Sequence, residues 1–233
     1  MHMAQEIFRR VEKKYLLTRK KCEELLKDLE AHIERDKYYD YTIRNIYFDS
    51  RTDELIRTSI EKPVYKEKFR VRCYNTPKEE SDVFLEIKKK YQGIVHKRRV
   101  VLPYREARQF VDKQKVETSN PQIEKEIRYV IDYYGLQPKL YLAYDRYAYH
   151  GTEDKEFRIT FDYNIRSRRD NLSLSDDTNV TSLLEDDYIL MEVKVPEALP
   201  LWFVHILEKH QINSISFSKY GMIYKRELSN KGA

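Results

Sequence analysis

The spacing of hydrophobic positions switches along the chain between the two-residue repeat of a strand and the repeat of about 3.6 of a helix. Ile7 to Leu17 reads as a strand, and Arg10, Glu12 and Lys14 share one of its faces. Thr18 is placed to cap a helix whose apolar stripe is Cys22, Leu25, Leu26, Leu29 and Ile33. Tyr41 to Asp49 is extended again, with Ile43, Asn45, Tyr47 and Asp49 on one side. Three more strands follow. In Lys66–Tyr74, Phe69, Val71 and Cys73 oppose Lys68, Arg70, Arg72 and Tyr74. In Val83–Lys90, Val83, Leu85 and Ile87 oppose Phe84, Glu86, Lys88 and Lys90. After a turn at Gln92-Gly93, Val95–Leu102 carries Val95, Lys97, Arg99 and Val101 on one side. Strands joined by such short turns pair antiparallel.

The period then becomes helical. Tyr104 to Gln114 predicts one helix, and Asn120-Pro121 opens another that Gly135 ends. Strands return at Lys139–His150 and at Glu156–Arg166, where Arg158, Thr160 and Asp162 share a face. Ser167 to Asp187 is dominated by Ser, Asp, Asn and Thr and predicts a long excursion or mobile loop. Tyr188–Val195 is a short strand with Glu192 and Lys194 on one face, and Leu201–His210 is a helix. The final stretch, Ser214 to Glu227, holds Ser218-Lys219-Tyr220.

The 233 residues are ample for a sizeable core, as one large domain or at most two small ones. Twenty Tyr and 9 Phe argue against disorder, and 5 Gly argue against Gly-rich phosphate loops. Cys22 and Cys73 show no zinc-type spacing. No apolar run is long enough to span a bilayer, and a cytoplasmic setting is the expectation. Lys and Arg number 44 against 39 Asp and Glu, a net charge of +5 that is too small for a histone-like binder. Basic residues must act by concentration in one place.

The charged strand faces supply that concentration. Lys14, Arg70, Arg72, Lys88, Lys97, Arg99, Arg146 and Arg158 all sit in strand-like segments opposite apolar positions. A solvated outer sheet face reads the same way. If the sheet instead curls into a barrel, the cations turn inward, and a few glutamates cannot balance them. A polyanion would then be required, and Arg suits bidentate phosphate contacts. Alternation alone leaves the choice of face open.

At these residues the chain resembles the VTC domain, the polyphosphate polymerase branch of the triphosphate tunnel metalloenzymes. The resembling segments run in family order: Arg10–Tyr15, Tyr47–Asp49, Phe69–Arg72, Leu85–Lys88, Val95–Arg99, Tyr144–Arg146, Arg158–Asp162, Met191–Lys194 and Ser218–Tyr220. The resemblance implies an α+β fold, a single tunnel domain over 1–233 in which an antiparallel β-barrel has helices packed outside. It implies an enzyme that transfers the ATP γ-phosphoryl group to inorganic polyphosphate. Catalytic phosphate contacts are implied for Arg70, Arg72, Lys88, Arg146 and Arg158. Substrate binding is implied for Lys14, Lys97, Ser218 and Lys219, with Arg99 and Lys194 as further wall candidates. Glu192 is the implied ligand of Mn2+ or Mg2+. ATP and polyphosphate are the expected partners, and nucleic acid is not, because RNA-binding signatures are absent. A non-catalytic polyphosphate-binding module is one alternative. A triphosphatase or cyclase of the same superfamily is another, weakened because Arg10 stands where a full Glu-x-Glu-x-Lys run needs glutamate.

Overall fold

The computed structural model describes residues 11–92, 94–114, 118 and 120–231. The expected strand residues 7–10, Arg10 among them, and Gly93 of the expected turn lie outside the described residues. The first half of the chain forms β1 (Val11–Thr18), α1 (Arg19–Leu29), β2 (Ile33–Asp49), α2 (Glu54–Ile60), β3 (Tyr65–Tyr74), β4 (Asp82–Tyr91) and β5 (Ile94–Pro103). The second half forms α3 (Tyr104–Lys113), α4 (Pro121–Tyr134), β6 (Gln137–Gly151), β7 (Arg158–Arg168), β8 (Thr181–Ser182), β9 (Tyr188–Val195), α5 (Leu201–Lys209) and α6 (Lys219–Lys231). The fold is α+β, with a large antiparallel sheet and, among the described residues, six helices. Strands pair in the order β1-β9-β7-β6-β2-β3-β4-β5, with β8 beside β7. No pairing joins β1 to β5 among the described residues, so the expected closed barrel is corrected to an open sheet. Edge strand β5 presents exposed His96, Lys97, Arg98 and Arg99, and such charges blunt pairing with another edge.

The chain divides into two compact units. The first takes the described residues up to Tyr41 together with 145–163 and 184–217. The second takes 42–144, 164–183 and the described residues from Ser218 on. In the first unit, Tyr15 and Leu17 of β1, Met191 and Val193 of β9, and Ile159 and Phe161 of β7 form the apolar face. Cys22, Leu25 and Leu29 of α1 and Phe203 and Leu207 of α5 cover it. The Thr18 hydroxyl accepts the Lys21 N–H at 3.3 Å and starts α1 as its position predicts. Ile33 does not continue that helix: it opens β2, yet its side chain still enters the same core.

In the second unit β2, β3, β4 and β5 pair in sequence order. Phe69, Val71, Cys73, Val83, Leu85, Ile87, Val100 and Leu102 form its apolar face, buried beneath Ala107, Phe110 and Val111 of α3 and Ile127, Val130 and Ile131 of α4. The Asn120 side chain accepts the Ile123 N–H at 3.1 Å, and Gly135 ends α4 at φ 58, a left-handed position that favours glycine. Helix α2 is absent from the sequence reading because its cap is remote. The buried Asp49 carboxylate accepts the N–H groups of Leu55 (2.8 Å) and Ile56 (3.0 Å), six and seven residues along. Among the described residues no helix is long and apolar enough to cross a membrane.

The expected long excursion between β7 and β9 is built around arginines. Arg168 donates to the carbonyls of Asn171 (2.8 Å), Ser173 (3.0 Å), Asp176 (3.0 Å) and Thr178 (3.1 Å). Its guanidinium lies 4.1 Å over the Tyr141 ring. Arg166 pairs with Asp177, and Leu174 is 2% exposed within the core. A compositional reading sees only polar residues here, because one guanidinium fork satisfies carbonyls scattered over eight positions. Arg168→Lys keeps the charge and loses the fork. It is expected to cost about 2 kcal/mol in urea unfolding and to open residues 170–180 to limited proteolysis. A variant as stable and as protease-resistant as the parent would contradict this account.

Candidate functional site

The polar face of β2–β5 carries the densest group of cations in the second unit. Register fixes it. Arg72 stands between Asn45 of β2 and Phe84 of β4, and Arg70 stands between Tyr47 and Glu86, with Arg99 beyond Glu86 on β5. Lys68 faces Lys88, which faces Lys97, and Lys66 faces Lys90. All of these alternate with the buried residues under α3 and α4, so they project from the opposite side. Between Lys66 and Arg72 on β3, and between Phe84 and Lys90 on β4, Glu86 is the only carboxylate of that parity.

Glu86 is 2% exposed and sits among three cations. Arg70 donates through Nε at 2.8 Å and places Nη2 at 2.7 Å from the same Oε2, and Arg72 Nε is 3.9 Å from it. Lys97 pairs with the other oxygen. Burial alone would raise the Glu86 pKa, but Arg70, Arg72 and Lys97 reverse the sign and bring it down to about 2. Lys97 is itself lowered, chiefly by desolvation, against the opposing pull of Glu86. Arg72 is aimed by a relay: Asn45 Nδ2 donates to the Leu142 carbonyl (2.8 Å), which turns Asn45 Oδ1 toward Arg72 Nε (2.8 Å). Tyr144 accepts from Arg72 Nη2 at 3.3 Å, and Tyr47 accepts from Arg70 Nη1 at 3.0 Å. Burial pushes the Tyr47 phenol up, and Arg70, Arg72 and Lys68 outweigh it, leaving it at about 8.

Ser218 precedes α6, which Lys219 begins, in the same unit. The Ser218 hydroxyl accepts the Gly221 N–H at 3.3 Å and Lys68 Nζ at 3.2 Å. Lys219 Nζ lies 4.4 Å over the Tyr144 ring. The Tyr220 hydroxyl donates to Asp49 at 3.2 Å, and its ring lies against Tyr47 at 5.2 Å.

The first unit holds the other predicted residues. Lys14, Glu192 and Thr160 lie in register across β1, β9 and β7, as do Glu12, Lys194 and Arg158. Lys14 Nζ is 3.3 Å from Glu12 Oε1 and 3.4 Å from Glu192 Oε1, and it donates to the Phe217 carbonyl at 3.1 Å. Glu192 Oε2 is 3.6 Å from Arg146 Nη2. Arg146 also makes a two-pronged bond to the fully buried Asp162, at 2.5 and 2.7 Å. The Thr160 hydroxyl is buried without a hydrogen-bond partner among the described residues. Arg158 is exposed, with no ion pair among the described residues.

The sequence-predicted residues thus separate by unit. Arg70, Arg72, Lys88, Lys97, Arg99, Ser218 and Lys219 fall in the second, while Lys14, Arg146, Arg158, Glu192 and Lys194 fall in the first. Lys97, not Arg98, is on the charged face of β5; Arg98 stands opposite Ile87. Asn45, Tyr47 and Tyr144 touch the arginines and fall outside the residues that the sequence marks. The parity of Asn45 and Tyr47 was legible, but the hydrogen bonds that give it meaning were not. Among the described residues no group of three or more His, Cys, Asp or Glu is placed to hold a metal.

Glu86→Gln leaves Arg70, Arg72 and Lys97 facing one another. It is expected to cost about 3 kcal/mol in urea unfolding at neutral pH, with inorganic triphosphate restoring part of the loss. A cost within error of zero would show that the carboxylate does not balance the cluster. Because the folded pKa of Glu86 is depressed, its stabilisation is complete above the unfolded value of about 4.3 and is lost as pH falls through about 2. The parent should show that acid slope and the Gln variant should lack it. Tyrosinate absorbance should show a step near pH 8 that Tyr47→Phe deletes, and a titration without that step would contradict the electrostatic reading.

The sequence matches the VTC domain family over residues 9–226. No curated protein matches it. Among solved structures, a protein of Bacillus halodurans described as a "putative adenylate cyclase" is similar, with 15% identity and a TM-score of 0.56 over 90% of this chain and 93% of that one. The PH1819 protein of Pyrococcus horikoshii OT3 aligns with 13% identity and a TM-score of 0.48 over 93% of this chain and 99% of that one. At these identities the first likeness speaks for a shared fold alone. The family match spans nearly all of the sequence that forms both charged faces, and the chain belongs to the VTC domain family.

Proposed function

We propose that the protein is a polyphosphate polymerase that transfers the γ-phosphoryl group of ATP to the end of an inorganic polyphosphate chain. The observation that carries this reading is the polar face of β2–β5, where Arg70, Arg72, Lys88, Lys97 and Arg99 surround a single carboxylate. Such an excess of cations on one face suits a ligand that is a string of anions. Membership of the VTC family favours the same substrate class. In this reading the charged face of β2–β5 binds the phosphate chain. Arg70, Arg72, Lys97 and Arg99 hold phosphate oxygens, and Ser218 and Lys219 add the N-terminus of α6. Within the first unit, Lys14, Arg146, Arg158 and Lys194 are the cations proposed for phosphate contact.

The chemistry needs little from the protein beyond charge and alignment. A terminal oxygen of the polyphosphate attacks the γ-phosphorus, the bond to the β–γ bridging oxygen breaks, and ADP leaves. The attacking oxygen is already ionised near neutral pH, since terminal phosphates lose their second proton near pH 6, so no side chain must remove a proton. Guanidinium and ammonium groups offset the repulsion between donor and acceptor and spread the transition-state charge.

Glu192 is the residue that would hold a divalent metal in this reading. Its carboxylate and that of Glu12 converge on the Lys14 ammonium, with the orphaned Thr160 hydroxyl in register beside Glu192. An all-oxygen set of this kind fits Mg2+ or Mn2+, which take one or two carboxylates and complete their shell with water and substrate phosphates. When bound, such an ion neutralises phosphate charge.

Incubation with ATP and Mn2+ or Mg2+ should yield ADP and polyphosphate in step. Orthophosphate or pyrophosphate without polymer would place the protein with the hydrolases or cyclases, and tight polyphosphate binding without turnover would make it a binding module. Lys88→Ala and Arg158→Ala remove exposed side chains and should leave the melting temperature unchanged while each slows polymer synthesis about 100-fold.

A further inference from the structure

The basic face does not stop at the residues assigned above. It continues along β3 and β4 toward the hairpin that joins β4 to β5. Lys66 and Lys90 stand directly opposite each other, and Lys68 and Lys88 form the next cross-strand pair. Like charges directly opposite in an antiparallel pair are destabilising, and here two such pairs follow in succession. Among the described residues no carboxylate pairs with Lys62, Lys66, Lys88 or Lys90, while on the other face of the same strands Lys89 is paired with Glu67 at 3.4 Å. Lys66 is half-buried and donates to the Ser59 carbonyl at 3.2 Å. Desolvation lowers its pKa first, and the neighbouring Lys90, Lys88 and Lys62 lower it further. The strand thus carries cations from Arg72 to Lys66, a run of about 20 Å that exceeds the reach of a triphosphate.

We propose that Lys66 and Lys90 form a distal anion subsite that engages the body of a long polyphosphate chain and is out of reach of the triphosphate of ATP. The inference rests on reading this sheet face as phosphate-binding, and it adds a function to that reading. The subsite makes affinity grow with chain length, so a long product stays bound between additions while a short one leaves.

Calorimetric titrations with inorganic triphosphate and with long-chain inorganic polyphosphate separate the two claims, because neither needs turnover. The K66Q/K90Q variant is expected to bind long-chain polyphosphate about tenfold more weakly, the loss of two contacts of exposed ion-pair size, and to bind triphosphate within about twofold of the parent. A control pair on exposed positions of α1, K20Q/K27Q, is expected to change neither affinity. Equal losses for both ligands in K66Q/K90Q, no loss for either, or an equal loss in the control pair would overturn the subsite and leave the phosphate reading standing. A parent protein that binds neither ligand would overturn both.

Discussion

A charge removed from water must be met by another, and the polar face of β2–β5 is organised by that requirement. Glu86 is almost wholly buried, and Arg70, Arg72 and Lys97 are the groups that keep it ionised there. The converse holds equally. Those three cations can stand side by side because one carboxylate lies among them, and Asn45, Tyr47 and Tyr144 accept from the two arginines. The cluster is therefore poised: charge is balanced closely enough to fold, and positive enough beyond Glu86 to attract an anion. The first unit repeats the theme with different members, where Lys14 rests between Glu12 and Glu192, and Arg146 between Asp162 and Glu192.

Much of this was legible from alternation. Burying one face of a two-residue period decides which side chains face away from the core, so the cations of β3, β4 and β5 could be grouped before any contact was known. Strand β9 begins and ends where its pattern predicts, and the caps at Thr18 and Asn120 act as their positions suggest. What could not be read was whatever depends on partners far along the chain. Helix α2 hangs on Asp49, outside the usual capping interval. The open order of the sheet, which ends at β1 and at β5, depends on pairings that no local pattern encodes.

The site shows the same division. Residue type and parity marked Arg70, Arg72, Lys88, Lys97 and Arg99, but gave Glu86 no special standing among glutamates. Its importance comes from burial and from three neighbours on two other strands. The stretch from Ser167 to Asp187 is the long excursion its composition predicts, with an order that composition does not show. Its polar composition is that of a loop, yet Arg168 turns inward and gathers four carbonyls, and Leu174 adds an apolar anchor.

Asp49 has a consequence for how α6 is held. One carboxylate receives the start of α2 and the Tyr220 hydroxyl, and the Tyr220 ring rests on Tyr47, which in turn accepts from Arg70. The end of β2, the root of α6 and the guanidinium of β3 are therefore geared together. Through these contacts the root of α6 borders the phenol that accepts from Arg70, so a side chain on β3 has part of its surroundings set by a helix that follows it by about 150 residues.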